Sequence, residues 1–167
     1  MSGDMLIRTA APSDAAAIQS IYMPYVAETA ISFEVDVPSV ASMTERMASV
    51  VDAGLPYLVA ERGGMVLGYA YAGPHRTRAA YRFAVDVTAY VVRDRRGGGI
   101  GTALYTELLH RLSATEAHAA FAGITLPNER SVALHEKVGF TPVGVFREVG
   151  WKFDRWHDVG WWQRRLR

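Results

Sequence analysis

The stretch TAYVVRDRRGGGIGT, residues 88–102, decides the fold of this chain. Its first five residues are mostly apolar or β-branched and predict a strand, and from Thr102 onward apolar side chains recur at helical spacing. Glycines dominate the segment between them, residues 97–101. A strand that passes through glycines into a helix exposes backbone N–H groups at the positive end of the helix dipole. This arrangement favours the binding of a phosphate group.

The spacing of the glycines separates three phosphate-binding designs. A P-loop requires Gly-Lys-Ser/Thr, but no lysine lies near this run. A dinucleotide-binding fingerprint requires G-x-G-x-x-G, and counting from Gly97 or Gly99 places Thr102 or Leu104 where the last glycine should stand. The pattern that remains is Arg-x-x-Gly-x-Gly, starting at Arg96. An ordinary tight turn is the alternative interpretation of the same glycines.

Composition excludes several classes of protein. Half of the 167 residues are hydrophobic, cysteine is absent and the net charge is +1. We therefore expect one compact domain over residues 1–167, without disulfides, in a reducing cytoplasm. The near-neutral charge argues against a nucleic-acid partner. No stretch approaches the roughly 18 apolar residues that a membrane helix needs, and residues 1–4 do not resemble the start of a secretory signal.

Strands and helices alternate along the chain, which predicts an α/β domain with a mixed sheet covered by helices. The predicted strands cover residues 6–8, 57–62, 65–72, 85–92, 119–125, 141–153 and 157–165. The predicted helices follow a cap at Ser13-Asp14, cover residues 39–53 and 102–112, and follow a cap at Asn128 up to Gly139. The dipeptide Gly63-Gly64 predicts a two-residue hairpin turn.

The segment NERSVALHEKVGF, residues 128–140, resembles the second signature of the GNAT N-acetyltransferase superfamily, an asparagine-led helix that ends in Gly-Phe. It follows the Arg-x-x-Gly-x-Gly loop at the spacing that the superfamily shows. The resemblance implies the GNAT fold, a mixed, mostly antiparallel twisted sheet of about seven strands covered by about four helices. Within the superfamily, the chain is most similar to phosphinothricin and methionine sulfoximine acetyltransferases, through TAISFE (residues 29–34) and WHDVGWWQ (residues 156–163). It departs from them at Asp86, where they have a glutamate, and at Gly97, where a basic residue is frequent.

The resemblance implies a binding site for acetyl-CoA along a splay in the sheet. Backbone groups at Tyr90 and Val91 would bind the pantetheine arm and polarise the thioester carbonyl. The other implied cofactor-binding residues are Arg96, Gly97, Gly98, Gly99, Ile100, Gly101, Thr102, Asn128 and Ser131. No metal is expected, because His75, His110 and His118 are dispersed and lack the spacing of metal ligands.

Two residues are candidates for catalysis. Asp86 matches the acidic position of the family and is the candidate general base, acting directly or through a water. The alternative is a strand-end aspartate bonded to backbone. His135 matches a family histidine near the thioester sulfur, and its alternative is a core histidine with satisfied nitrogens.

The candidate residues for acceptor binding lie in two loops. Phe33 and Glu34 follow the first helix, and Arg76, Arg78 and Tyr81 lie after the third strand. Guanidinium groups pair bidentately with carboxylate or phosphinate oxygens, although a solvated loop would also explain these arginines. The functional interpretation predicts a small zwitterionic amino acid as the acceptor.

The leading hypothesis is an acetyl-CoA-dependent N-acetyltransferase that acts on the amino group of a substrate of the phosphinothricin, methionine sulfoximine or methionine sulfone type. The first alternative is acetylation of protein N-termini or of another small amine. The second alternative, from a different class, is a CoA-binding module without catalysis. The resemblance also suggests a homodimer with acceptor sites near the subunit boundary.

Overall fold

The computed structural model describes residues 3–95 and 97–167, so that Arg96, one of the predicted cofactor-binding residues, lies outside the described part of the chain. Seven strands and four α-helices follow one another in the order that the sequence predicts. They are β1 (Leu6–Thr9), α1 (Ala15–Glu28), α2 (Val40–Asp52), β2 (Tyr57–Arg62), β3 (Met65–Pro74), β4 (Ala84–Val91), α3 (Ile100–Ser113), β5 (Ala119–Leu126), α4 (Glu129–Lys137), β6 (Thr141–Lys152) and β7 (Arg155–Arg165). Short 3-10 turns cover Pro12–Asp14, Ala79–Tyr81 and Arg93–Arg95.

The seven strands form one sheet in the order β1-β2-β3-β4-β5-β7-β6. The pairing of β4 with β5 is parallel, and the other five pairings are antiparallel. The predicted mixed, mostly antiparallel sheet with four helices is thus confirmed. A parallel pair needs a long crossover connection, and α3 supplies it between β4 and β5.

Helices cover both faces of the sheet. One core cluster packs under α3 and includes Leu104 and Leu108, both fully buried. The other packs under α1 and α2 and includes Ile18 and Tyr69. Because side chains alternate along a strand, Val85 and Val87 of β4 belong to the α3 cluster whereas Tyr90 packs against the α1 cluster. Side chains of β4 therefore point alternately to the two faces of the sheet, and site residues lie on both faces.

Local signals fix most of the element ends. Gly63 and Gly64 both have positive φ, as a two-residue hairpin turn requires. The helix α3 begins at Ile100, two residues before the predicted start, because Ile100 is already buried in the core beneath it. The predicted cap at Asp14 is different in the structure. Its carboxylate accepts bonds from the Ala11 N–H at 2.7 Å and from Arg8 at 2.8 and 2.9 Å, and does not cap α1.

Candidate active site

A wedge opens in the middle of the sheet, between β4 and β5. The two strands pair only at their first three positions, the last of which joins Asp86 to Phe121. Beyond that position, the segments 87–91 and 122–126 have no pairing with each other. A parallel pair that separates in this way leaves backbone groups of both strands without a ladder partner. The splay that the resemblance implies is present beside Tyr90 and Val91.

The glycine loop lies at the wide end of the wedge. Gly97 has φ +96° and Gly99 has φ +75°, the left-handed region that glycine adopts at least cost. Gly99 is the N-cap residue of α3, so the first N–H groups of that helix have no intrahelical partner. A Cβ added at Gly97 would lie 3.3 Å from a terminal guanidinium nitrogen of Arg130, and the absence of side chains keeps the loop open.

A cavity of about 350 Å³ joins the wedge to the glycine loop. The predicted cofactor-binding residues that line it are Tyr90, Val91, Gly97, Gly99, Ile100, Gly101, Thr102, Asn128 and Ser131. Gly98 is not among the lining residues. The side chain of Asn128 caps α4 by accepting a bond from the Ser131 N–H at 3.2 Å, which confirms the predicted cap. Residues from two separate sequence motifs therefore meet around one cavity.

Three cationic side chains that were not among the predicted site residues also line this cavity. They are Arg95, Arg130 and Lys137. The last two come from α4, which packs so closely on α3 that a Cβ at Gly101 would lie 3.0 Å from a methyl group of Leu134. This close approach brings the cations of α4 to the N-terminus of α3. Positive charge beside unpaired N–H groups suits a polyanionic ligand.

His135 lies beneath this cavity and does not line it. It is 5% exposed, and both ring nitrogens are bonded, Nδ1 to the Ser131 carbonyl oxygen at 2.7 Å and Nε2 to the Tyr105 hydroxyl at 2.9 Å. Since a carbonyl only accepts, Nδ1 carries the proton and Nε2 accepts from the hydroxyl. Burial lowers the pKa of His135, which keeps the ring neutral. These contacts are those of a core histidine that supports α4.

Asp86 lies where the wedge begins, on the face of the sheet opposite α3. Its Oδ1 is 2.5 Å from Nδ1 of His75, and no backbone N–H of the described residues bonds to its carboxylate. Burial raises the pKa of the Asp86 carboxyl, and the hydrogen bond from His75 opposes that rise. The strand-end aspartate bonded to backbone, which was the alternative interpretation, is not what the structure contains.

The partnership of Asp86 with His75 follows from strand register. Gly73 pairs with Asp86 across β3 and β4, and His75, two residues further, lies diagonally opposite on the same face. Sequence reasoning missed His75 because it was considered only as a metal ligand. Knowledge of the register would have revealed it.

The loop after β3 carries the predicted acceptor-binding residues beside His75. Arg76 donates to the carbonyl oxygen of His75 at 2.8 Å. Its positive charge opposes the rise that burial causes in the pKa of the Asp86 carboxyl. Arg78 and Tyr81 are exposed, and the Tyr81 ring stands edge-on to His75 at 5.8 Å between centroids. The structure thus brings Arg76 and Tyr81 to the narrow end of the wedge, and Arg78 is exposed in the same loop.

Phe33 and Glu34 lie in the loop after α1, which is fixed from beneath by a buried lysine. Glu34 accepts bonds from the two terminal guanidinium nitrogens of Arg46, at 2.7 and 2.9 Å, and a short bond from Tyr22. The ring of Phe33 covers Gly150 of β6. Nζ of Lys152 donates to the carbonyl oxygens of Val26, Ser32 and Glu34 at 2.7–2.8 Å. Sequence reasoning missed Lys152, since nothing local to β6 signals a contact with this loop.

The described residues contain no group of three or more His, Cys, Asp or Glu side chains placed to hold a metal ion. None of their helices has the length and apolarity needed to cross a membrane.

A family model identifies the group of proteins that share these features. Residues 7–161 match the family model described as the acetyltransferase (GNAT) domain. The chain belongs to the GNAT acetyltransferase family. This acetyltransferase is 41% identical to the phosphinothricin N-acetyltransferase of Alcaligenes faecalis over 96% of its own length and 82% of the relative's. It is 34% identical to the L-methionine sulfoximine/L-methionine sulfone acetyltransferase of Salmonella typhimurium, over 97% and 95% of the two chains.

Solved structures match the acetyltransferase over nearly its whole length. The phosphinothricin acetyltransferase of Sinorhizobium meliloti in complex with acetyl-CoA has a TM-score of 0.94 and 37% identity, covering 97% of this chain and 88% of the other. The ribosomal-protein-alanine N-acetyltransferase of Brucella melitensis has a TM-score of 0.94 and 36% identity, covering 96% and 99%. The GNAT fold expected from the sequence is therefore confirmed.

Proposed function

We propose that this acetyltransferase transfers the acetyl group of acetyl-CoA to the amino group of a small amino-acid-like acceptor of the phosphinothricin or methionine sulfoximine type. The observation that carries the proposal is the wedge, which has the glycine loop and three cationic side chains at its wide end and charged residues at its narrow end. Relatives that acetylate these acceptors, at 34–41% identity over nearly the full length, support the same reaction.

The charge of the cavity suits the phosphate groups of acetyl-CoA, and the gap between the strands suits its thin pantetheine arm. Its pyrophosphate would bind the N–H groups at Gly97–Thr102 and the cations Arg95, Arg130 and Lys137. Asn128 and Ser131 at the start of α4, together with the predicted loop residue Arg96, would complete this end. The thin pantetheine arm would lie between β4 and β5, taking the backbone bonds at Tyr90 and Val91 that a neighbouring strand would otherwise take. From Val91 to Asp86 the strand spans about 16 Å, so the arm would point its thioester toward the narrow end.

The chemistry needs positioning and a proton acceptor. A thioester is already activated, and backbone N–H groups directed at its carbonyl oxygen stabilise the developing oxyanion. The acceptor arrives as an ammonium ion, and an α-amine with a pKa near 8 loses its proton far more easily than a lysine near 10.4. A base at Asp86 and its partner His75 would take that proton. We assign His135 a supporting role, because both of its nitrogens are bonded inside the protein.

Arg76 and Arg78 would bind the acidic groups of the acceptor. Guanidinium forks pair with carboxylate or phosphinate oxygens, and Tyr81 would close the loop over the acceptor. Phe33 would form the opposite wall. Glu34 acts on the site through Arg46 and Tyr22, to which its carboxylate is already bonded.

Turnover of acetyl-CoA with a panel of acceptors tests the proposal. Release of free thiol is measured with methionine sulfoximine, phosphinothricin, methionine sulfone and a short peptide with a free N-terminus. We expect turnover with the free amino acids, and Arg76→Ala or Arg78→Ala should raise the KM of the acceptor without changing that of acetyl-CoA. Arg82→Ala is the matched control in the same loop, because its guanidinium lies over the Phe83 ring. If no acceptor is turned over, the remaining interpretation is a CoA-binding module without catalysis.

Acetylation of protein N-termini is the second candidate function. It is favoured by the likeness to the ribosomal-protein-alanine N-acetyltransferase of Brucella melitensis. A peptide N-terminus has its carboxyl group tied up in an amide, so that Arg76 and Arg78 would have little to bind. Preference for the peptide, unchanged in the double variant of these arginines, would select this function.

We also propose that the acetyltransferase works in the cytoplasm, without a membrane or nucleic-acid partner, and forms a homodimer. The strand β6 lies at the edge of the sheet and exposes several large apolar side chains, among them Val143, Phe146 and Trp151. A long apolar edge strand pairs readily with another chain. Sedimentation of the protein should show a dimer, and Phe146→Glu should shift it toward the monomer.

A further inference from the structure

His75 is held rigidly at the narrow end of the wedge. Its ring stacks on Phe121 with 4.6 Å between centroids and an interplanar angle of 25°. The rings of Tyr81 and Trp161 stand edge-on to it, at 5.8 and 6.1 Å. The Nδ1 atom is fixed by Asp86 at 2.5 Å. A side chain held by three rings and one carboxylate has a single orientation, which is what a positioned proton acceptor needs.

The other ring nitrogen of His75 is available. Nε2 has no hydrogen-bond partner among residues 3–95 and 97–167, and it is not enclosed as a buried polar atom without a partner. Because an ionised carboxylate only accepts, the Asp86 contact places the proton of the neutral ring on Nδ1. The lone pair of Nε2 is then free. A carboxylate that fixes the tautomer of a histidine in this way also stabilises the imidazolium that forms when Nε2 takes a proton.

The place of the pair in the sheet matches the place of the reaction. Asp86 and Phe121 form the last pairing before β4 and β5 separate. The loop with Arg76 and Arg78 begins next to His75. The imidazole therefore lies where the end of the wedge that would receive the thioester meets the loop whose arginines would bind the acceptor. An aspartate side chain is one methylene shorter than a glutamate side chain. The His75 ring, bonded to Asp86, places the proton-accepting Nε2 atom farther from β4 than the carboxylate itself.

We propose that His75 is the general base of the acetyl transfer and that Asp86 is the positioning residue that orients it. The inference rests on the proposed function, because it assigns a residue of that same site. In this scheme Nε2 of His75 takes a proton from the acceptor ammonium. The freed lone pair of the nitrogen forms the N–C bond with the thioester carbonyl carbon, and the C–S bond breaks with its electron pair on sulfur. The second nitrogen proton passes to that sulfur and gives the free thiol, and His75 returns its proton to solvent.

Among the described residues, few charged or titratable groups face His75. The packed elements supply the Asp86 carboxylate from β4 and the Tyr81 phenol from its 3-10 turn, and the guanidinium of Arg76 bonds the His75 carbonyl from the same loop. Phe121 and Trp161, from β5 and β7, contribute no charge. Asp86 is therefore the anion that stabilises the protonated ring. Its removal should loosen the orientation of the ring without removing the proton-accepting nitrogen.

The experiment compares His75→Phe with Asp86→Asn in the full-length enzyme. The phenylalanine keeps the ring stack on Phe121 and removes the proton acceptor. We expect His75→Phe to lower kcat by roughly 10²–10⁴-fold and to abolish the acidic limb of the pH profile of kcat, measured with both substrates saturating. Asp86→Asn should lower kcat by a smaller factor and keep that limb, because the proton-accepting ring is still present. Calorimetry should give unchanged acetyl-CoA affinity in both variants, and His118→Phe, at an exposed site, should behave as wild type.

Chemical rescue keeps the inference testable if the aromatic replacement disturbs the site. Added imidazole should restore part of the turnover of His75→Ala and none of that of Asp86→Ala. A wild-type acidic limb in His75→Phe together with its loss in Asp86→Asn would make the carboxylate itself the base and overturn the inference. If His75→Phe turns over the acceptor at the wild-type rate, the inference is overturned and the proposed function stands. A wild type without turnover on any acceptor would contradict the proposed function and the inference with it.

Discussion

Gly99 and Gly64 have nearly the same backbone conformation in very different surroundings. Their φ angles are +75° and +79°, and a Cβ at either position would meet no heavy atom within 4 Å. Replacement by alanine should therefore cost similar conformational strain, about 1–2 kcal/mol, at both. Only Gly99→Ala changes the loop proposed to bind the pyrophosphate. We expect it to weaken acetyl-CoA binding by roughly tenfold or more in calorimetry, equivalent to about 1.4 kcal/mol.

Gly64→Ala is the matched control for this prediction. Thermal unfolding should show the same loss of stability in both variants, because the strain is the same. Acetyl-CoA affinity should fall in Gly99→Ala alone. Equal affinities in the two variants would contradict the placement of the pyrophosphate at this loop.

The buried imidazole of His135 makes stability depend on pH. Burial lowers its pKa in the folded state below the ordinary value of 6.5, so the unfolded chain takes up the proton first as the pH falls. The contribution of the neutral ring is complete above pH 6.5 and is lost as the pH falls from there toward the folded-state pKa. Denaturant unfolding between about pH 8 and about pH 5 should show this decline, and His135→Gln should flatten it. His118→Gln, at an exposed site, should keep the wild-type slope.

At the scale of elements, Lys152 joins β6 to the loop after α1. Its ammonium donates to three carbonyl oxygens that a methionine would leave without this donor. Lys152→Met should lower the free energy of unfolding by about 2–4 kcal/mol. It should also raise the KM of the acceptor more than that of acetyl-CoA, because the loosened loop carries Phe33 and Glu34.

Arg155→Met is the control for Lys152, since Arg155 pairs with Lys152 across the β6–β7 hairpin and is exposed. It should change neither stability nor KM appreciably. A Lys152→Met enzyme with wild-type stability would show that the three carbonyl bonds contribute little. The fork of an arginine does not reproduce the three bonds of a compact ammonium, so Lys152→Arg should rescue only part of the loss.

The elements themselves could be predicted because their signals are local. The bond from Ser131 N–H to Asn128 and the two turn glycines act within a few residues of chain. The prediction failed where other partners compete for the same side chain. Asp14 was expected to cap α1, but the Ala11 N–H and Arg8 of β1 hold its carboxylate. These partners lie only three and six residues away, and the sequence pattern does not say which of several nearby donors the carboxylate takes.

The cavity, by contrast, shows a division between local and long-range information. Its loop residues form one continuous stretch of sequence and could be predicted together. Arg130 and Lys137 join them only because α4 packs against Gly101, a contact between helices that depends on the whole fold. The His75–Asp86 pair depends on the register of β3 against β4. The sequence contains these residues but does not say which of them meet.

At the scale of the whole molecule, the wedge divides the sheet into two leaves. The strands β1 to β4 form one leaf and β5 to β7 the other, joined in the sheet by only three pairings at 84–86 and 119–121. The core under α3 also connects the leaves, as do the bonds of Lys152 to the loop after α1 and the stacking of His75 on Phe121. The edges of β4 and β5 that face the gap are therefore unpaired where the glycine loop begins.

A ligand lying in the wedge would occupy the place of a strand between β4 and β5 and would hold the two leaves together. Without it, amide hydrogens of the segments 87–91 and 122–126 that point into the gap should exchange readily with deuterium. Bound acetyl-CoA should slow their exchange and leave the rates in the paired β2–β3 hairpin unchanged. Unaltered exchange at the gap would place the ligand elsewhere. The co-substrate would then be, for as long as it stays bound, part of the framework that holds the enzyme in shape.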